Sequence, residues 1–337
     1  MPITVTGATG PFGRLAIEAL LRRGVPAGQI TAVGRSVAKI AGLSGRGVTV
    51  RRADYDDPAS LRAAFAGADR LLFVSGSELG RRVRQHQAVI TAAAQAGVGL
   101  VAYTSAPKAG TSDMMLAADH RATEQALIGS GLPWVFLRNG WYLENYTAML
   151  PAILAHGLSG AAGAGLISGA ARADLAEAAA AVIAGDAHPS TVYELGGTPF
   201  TLTELAAEIS RVSGREVRYT DLSQDAYASM LIAAGVPGPM AAALADTQRA
   251  AANGALFIEG DDLPRLLGRP ATPLAEVIGA ALNRPPARTS GRSPSPVPVQ
   301  GQQLHARREP ATGAGARPAR TPGGTSPASS PAAVPST

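Results

Sequence analysis

The chain contains no cysteine, which excludes disulfides, a thiolate nucleophile, iron–sulfur clusters and cysteine-ligated zinc together. Lysine is nearly absent too: only Lys39 and Lys108 accompany 28 arginines, a bias that reads as genome composition. Aromatic residues make up 4% of 337 positions, so each Phe, Trp or Tyr stands out against an Ala- and Gly-rich background. No run of about 18 apolar residues escapes interruption by charge, Gly or Pro, so no membrane span is expected. The opening MPITVTGATG has neither a basic n-region nor an unbroken apolar h-region, so a signal peptide is not expected. A soluble, cytoplasmic protein is the expectation, as a monomer or homodimer.

What the chain does carry in excess is positive charge, and its location removes the obvious inference. Residues 285–337 hold six arginines against Glu309, which accounts for the whole formal charge of +5 and leaves 24 basic and 24 acidic side chains in 1–284. The body of the chain is neutral, so no specific nucleic-acid surface is expected on it. The same 53 residues contain 11 of the 25 prolines and no aromatic residue. Such a segment cannot bury enough apolar surface to offset its ordering entropy, and 285–337 reads as a disordered Pro/Ser/Arg-rich tail.

In the body, short apolar runs alternate with helical patterns. Strands are expected at Ile3–Thr6, Ile30–Val33, Val48–Arg51, Leu71–Val74, Leu100–Thr104 and Trp134–Leu137, separated by segments with 3.6-residue spacing such as Phe12, Leu15, Ala16, Ala19 and Leu20. Continuous apolar strands alternating with helices define an α/β fold: a Rossmann-type doubly wound parallel sheet covered on both faces. Beyond about residue 140 the pattern turns mostly helical (172–185, 201–213, 223–235, 240–252, 273–282), with brief strands near Val192–Leu195 and Val217–Tyr219. The expected organisation of 1–284 is therefore a core of about 1–140 and a smaller, mostly helical C-terminal cap of about 141–284.

The stretch Thr6-Gly7-Ala8-Thr9-Gly10-Pro11-Phe12-Gly13 lies between the first strand and the first helix. In that position Gly7 permits a tight turn, Gly10 lets the backbone approach a diphosphate, and Gly13 lets helix pack on strand. The diphosphate then sits at a positive helix N-terminus. Pro11 removes one N–H donor but suits the first helical turn. An NAD site commonly places an acid about 20 residues further on, for the ribose 2′-hydroxyl. Here the second strand ends Thr31-Ala32-Val33-Gly34-Arg35-Ser36. Arg35 offers a forked cation suited to a 2′-phosphate, so NADP(H) is the expected cofactor; Ser36 and Arg51 are the alternatives for that contact. The remaining histidines show no HxH or HExxH spacing, and no metal is expected. No GxSxG elbow is present, which argues against hydrolase chemistry.

TGATGPFG, AVGRS, RRADYDD (51–57), LLFVSGSE (71–78), AYTS (102–105) and RNGWYLENY (138–146), taken in this order, resemble the type 2 NAD(P)H:quinone oxidoreductases. These are NmrA-like, atypical short-chain dehydrogenases/reductases, close to the triphenylmethane reductases. The likeness covers about 1–283 and includes ARADLAEAAAAVI (171–183) and TLTELAAEIS (201–210). The resemblance implies that Thr6, Gly7, Ala8, Thr9, Gly10 and Pro11 face the diphosphate and Arg35 the 2′-phosphate. It implies that Ser75, Gly76 and Ser77 face the ribose and nicotinamide, and that Arg172 helps close the cofactor site. Asn139, Gly140, Trp141 and Tyr142 line the nicotinamide and quinone pocket in the same reading. The chain departs from the family's GATGQLG at Pro11-Phe12 and carries Leu143 inside the GWYxEN stretch.

A Tyr-x-x-x-Lys proton-donor pair is missing; the segment that should carry it reads Asp119-His120-Arg121-Ala122-Thr123-Glu124. Quinone reduction does not require such a pair, because the reduced acceptor takes protons readily from water. His120 is the one candidate proton donor, the alternative being a residue of the helix surface. A Trp141-Tyr142 pair is ordinarily core; its place after the sixth strand, beside Asn139 and Gly140, points instead to stacking on a flat acceptor. The expected activity is NADPH-dependent hydride transfer to quinones or similar flat conjugated acceptors, without flavin because a single dinucleotide fingerprint is present. The alternatives are triphenylmethane dye reduction and a non-catalytic, NADP(H)-sensing regulatory protein. Truncation after Asn283 should leave the melting temperature and turnover nearly unchanged and sharply reduce any salt-sensitive binding to nucleic acid; thermal melts and DNA titrations check this.

Overall fold

The computed structural model describes residues 1–186 and 189–283; the tail reading at 285–337 lies outside them. Seven strands form one wholly parallel sheet: β1 (Ile3–Val5), β2 (Ile30–Gly34), β3 (Thr49–Arg52), β4 (Arg70–Phe73), β5 (Leu100–Ser105), β6 (Trp134–Asn139) and, after a short β7 (Leu158–Gly160), β8 (Thr191–Leu195). Their order is β3-β2-β1-β4-β5-β6-β8. The order reverses at β1, where Ile3 pairs with Ile30 on one side and Arg70 on the other. That reversal opens a crevice at the carboxyl ends of β1 and β4, where doubly wound sheets bind ligands. β7 pairs separately with β9 (Tyr219–Asp221).

Among the described residues the α-helices are α1 (Pro11–Arg22), α2 (Pro58–Phe65), α3 (Arg82–Gln95), α4 (Met115–Gly129), α5 (Glu144–Thr147), α6 (Leu150–His156), α7 (Arg172–Ala184), α8 (Leu202–Ser213), α9 (Gln224–Ala233), α10 (Gly238–Ala252), α11 (Asp262–Leu267) and α12 (Leu274–Leu282). Their starts carry recognisable signals. Asp57 accepts the Ala59 and Ser60 N–H groups at the head of α2, and Thr201 with Glu204 forms a reciprocal capping box on α8. One face of the sheet packs on α1, α7 and α11 through residues such as Ile17, Leu20, Leu175, Ile183 and Leu263. The other packs on α2, α3 and α4 through Phe65, Ile90 and Leu127. A third apolar cluster, containing Trp141, Leu143, Phe200, Leu205 and Leu244, holds the C-terminal helices together.

All six strands expected in the N-terminal part appear in order, with ends shifted by no more than two residues. The strand near Val192–Leu195 is not a cap element: it joins the main sheet beside β6, and α7 before it lies against the α1 face. The chain thus returns to the sheet layer well after residue 140. β9 begins at Tyr219, the last residue of the strand expected at Val217–Tyr219. β7 has no counterpart in the sequence pattern, since Leu-Ser-Gly is too short to show a period.

The close approach of α1 to β1 rests on glycine. Gly7 sits at φ +61°, and a Cβ on Gly13 would lie 2.5 Å from the Gly7 carbonyl oxygen and 2.9 Å from the Ala8 Cα. Gly13→Ala should therefore cost about 1–3 kcal/mol in denaturant unfolding. Gly28→Ala, at a position with open space around it, should be nearly neutral.

Candidate active site

The loop after β1 forms the floor of the crevice. Gly10 is the N-cap of α1, Pro11 occupies the first helical position and is exposed, and no side chain caps the helix. Among the described residues its positive end carries no side-chain cap and no acid in its first turn, which fits a diphosphate. Ala8 is buried, with its N–H donating to the Val33 carbonyl (3.0 Å), and Thr9 packs its methyl against Gly34. Thr6 lies underneath. Its buried hydroxyl accepts from the Val74 N–H (3.0 Å) and from Tyr55 (2.6 Å), joining the ends of β1 and β4. Thr6 thus shapes the loop from below. Tyr55, from the RRADYDD run, is a partner that no sequence signal singles out.

Arg35 emerges directly after β2 with its guanidinium largely exposed, 2.7 Å from Glu78 in the loop after β4. The alternative reader Arg51 is committed elsewhere, donating to the Ala64 and Ala66 carbonyls (3.0 and 2.9 Å) at the C-terminus of α2.

Ser75, Gly76 and Ser77 are half-buried beyond β4. The Ser75 N–H donates to Thr104 Oγ1 (2.8 Å). Gly76 is held on both sides from α3: its N–H donates to His86 Nε2 (2.8 Å), and its carbonyl accepts from Arg82 Nε (2.8 Å). Burial and the neighbouring Arg82 push the His86 pKa down to about 3, so its ring is neutral at ordinary pH. A neutral ring that accepts at Nε2 carries its proton on Nδ1 and donates to Thr123 Oγ1 (2.8 Å). No motif marks His86 or Arg82 in the sequence. Only their spacing on one helix face links them.

His120 extends this buried network. It is 2% exposed on α4, not on the helix surface, and its Nδ1 lies 2.8 Å from the Tyr103 hydroxyl. Burial, with Arg82 and His86 adding to it, holds its pKa well below the usual value.

RNGWYLENY sits at the end of β6 and in α5. A Cβ on Gly140 would meet the Ser168 oxygen at 2.5 Å, so glycine alone fits between the strand ends. The chain then sends adjacent aromatics into different cores: Trp141 into the cap cluster, Tyr142 into the cluster of the sheet, α1 and α7. Tyr142 stacks on Phe12 (centroids 6.2 Å, 19°), and the Arg172 guanidinium lies 4.8 Å from its ring centre. Phe12, where the glycine turn departs from the family pattern, thus packs against the segment after β6. Glu144 accepts the Arg172 N–H with both oxygens (3.0 Å), capping α7 from α5. Asp174 turns away and binds Arg269 and Thr272. Leu143 is buried against Gly169. Asn139 is 1% exposed, donates to the Tyr142 hydroxyl (3.4 Å), and leaves its Oδ1 buried without a hydrogen bond. An orphaned buried acceptor at a strand end fits a ligand that brings an N–H. Among the described residues no group of three His, Cys, Asp or Glu is placed to hold a metal ion, and no helix is long and apolar enough to cross a membrane.

A seven-stranded parallel sheet with a glycine turn at its reversal point, an uncapped first helix and an arginine after β2 defines an NAD(P)H-binding α/β protein. A family model described as NAD(P)H-binding matches residues 7–186. The chain is 47% identical over 283 residues to quinone oxidoreductase 2 of Escherichia coli, covering 83% of this chain and 99% of that one. The crystal structure of that enzyme complexed with NADPH superposes with a TM-score of 0.81, over 83% of this chain and all of that one. The Citrobacter triphenylmethane reductase complexed with NADP(H) is 39% identical with a TM-score of 0.78, over 83% and 99% of the two chains. The chain belongs to the type 2 NAD(P)H:quinone oxidoreductase family of NmrA-like, atypical short-chain dehydrogenases/reductases.

The buried neutral histidines have a consequence for acid stability. Below pH 6.5 the unfolded chain protonates both rings while burial keeps them neutral in the folded chain, down to about pH 3 for His86, so the folded state loses ground as pH falls. From pH 6.5 to 5, where ordinary carboxylates stay ionised, stability should fall by up to about 1.4 kcal/mol per pH unit for each histidine. Urea unfolding across that range checks this. His86→Gln, which keeps an acceptor for Gly76, should reduce the slope.

Proposed function

We propose that the protein is an NADPH-dependent reductase that transfers hydride to quinones or similar flat conjugated acceptors. The observation that carries this reading is likeness along nearly the whole length of a quinone reductase, at 47% identity. The crevice supports it, because the segments nominated from sequence converge at the carboxyl ends of β1, β2, β4 and β6 or beside them.

In this reading the Gly7–Gly13 turn and the N-terminus of α1 hold the diphosphate, and Arg35 holds the 2′-phosphate. Ser75–Ser77, held at Gly76 by His86 and Arg82 and at Ser75 by Thr104, support the ribose and nicotinamide side. Asn139 offers its unpaired Oδ1 to an amide donor, and Gly140 leaves room for close approach. Bound NADPH supplies the hydride. The chain's own part is orientation and exclusion of water. Burial pushes the Tyr142 pKa up to about 12, partly offset by Arg172, so Tyr142 remains a neutral O–H donor for an acceptor oxygen. Trp141 walls the cap side. His120 lies inside the α3–α4 network, bonded to Tyr103, so the one proton that joins the hydride to complete the quinol comes from water.

Steady-state oxidation of NADPH with benzoquinones, naphthoquinones and a triphenylmethane dye tests the proposal. Turnover with quinones is the expected result. Tight NADPH binding without turnover on any acceptor would overturn it and favour the sensor. Within the pocket, Tyr142→Phe keeps the packing and removes the hydroxyl; it should raise KM for quinone several-fold with NADPH affinity little changed. Trp141→Ala, cut from the cap core, should cost about 3–5 kcal/mol of stability.

A further inference from the structure

The end of β2 lacks the acid that holds a ribose hydroxyl in NAD sites, yet a carboxylate stands there. Glu78, from the loop after β4, places Oε1 2.7 Å from the Arg35 guanidinium. Its other oxygen is anchored independently, accepting from Arg81 (3.0 Å) and from Gln85 Nε2 (3.1 Å). Arg81 and Gln85 also bind Asp56 (2.6 and 3.0 Å), which takes Arg84 as well (2.6 Å). Glu78 can therefore release Arg35 and remain held to α3, with one oxygen turned toward the place Arg35 occupies.

We propose that Glu78 sets the cofactor preference of this protein by competing with the 2′-phosphate for Arg35. The proposal rests on the reading of Arg35 as the 2′-phosphate contact. A phosphorylated ribose must displace the Glu78 carboxylate from Arg35 and then sit beside it, which costs like-charge repulsion. A plain ribose meets the reverse situation: the carboxylate accepts a hydroxyl, as the missing β2 acid does elsewhere. Glu78 thus narrows the advantage of NADPH and keeps NADH usable.

Calorimetric binding of NADP⁺, NAD⁺ and adenosine 2′-phosphate to the full-length protein, its Glu78→Gln variant and its Arg35→Ala variant tests this. Glu78→Gln keeps the hydrogen-bonding shape and removes the charge. For this exposed pair it should tighten NADP⁺ and adenosine 2′-phosphate by about fivefold at low salt. NAD⁺ should weaken, and the gain for NADP⁺ should shrink as ionic strength rises. An unchanged NADP⁺ to NAD⁺ ratio in Glu78→Gln, with Arg35→Ala losing NADP⁺ selectively, would overturn the role of Glu78 alone. Equal affinity of Arg35→Ala and the parent for NADP⁺ would instead overturn the Arg35 reading, and the proposal with it.

Discussion

The site depends on how closely α1 is set over β1. A Cβ on Gly13 would strike the Gly7 carbonyl, and Gly7 itself needs positive φ. With both glycines in place the helix begins at the point where the sheet order reverses, and its uncapped N-terminus faces the crevice. Everything else is arranged around that approach. Thr6 and Tyr55 tie the ends of β1 and β4 beneath the turn, and Phe12, one residue before Gly13, carries the same helix onto Tyr142. A single backbone contact therefore couples the glycine turn to the segment after β6.

Much of this was legible in the amino-acid sequence because it is local. Parallel strands buried on both faces read as continuous apolar runs, and a glycine turn between strand and helix is contiguous. The less legible parts are assembled from distant segments. β8 reads as an isolated short strand until β6 offers it an edge, and Leu158–Gly160 pairs with the distant Tyr219–Asp221 with no periodicity to announce it. His86, Arg82 and Tyr55 carry no motif. They matter because α3 and the turn after β3 bring them under loops that do. Glu78 lies inside a recognised segment, but its meaning comes from Arg35, 43 positions earlier.

Burial separates the roles of residues that composition makes equally conspicuous. Trp141 and Tyr142 are adjacent in a chain poor in aromatics, yet one closes the cap core and the other lies between Phe12 and Arg172. His86 and His120 share a network and play different parts in it. His86 grips the Gly76 backbone, whereas His120 packs behind it against Tyr103. Titration near neutral pH is removed from both by the desolvation that keeps their rings neutral.

The central claim is that the carboxyl ends of β1, β2, β4 and β6 form one cofactor site reaching the acceptor segment. Hydrogen–deuterium exchange of the protein with and without NADPH tests it most directly. Slowed exchange should appear at the amides of residues 7–10, 12–14, 35–36, 75–78 and 139–143, with α8 to α10 unchanged. Protection confined to the cap helices, with the glycine turn and residues 75–78 unaffected, would contradict the account.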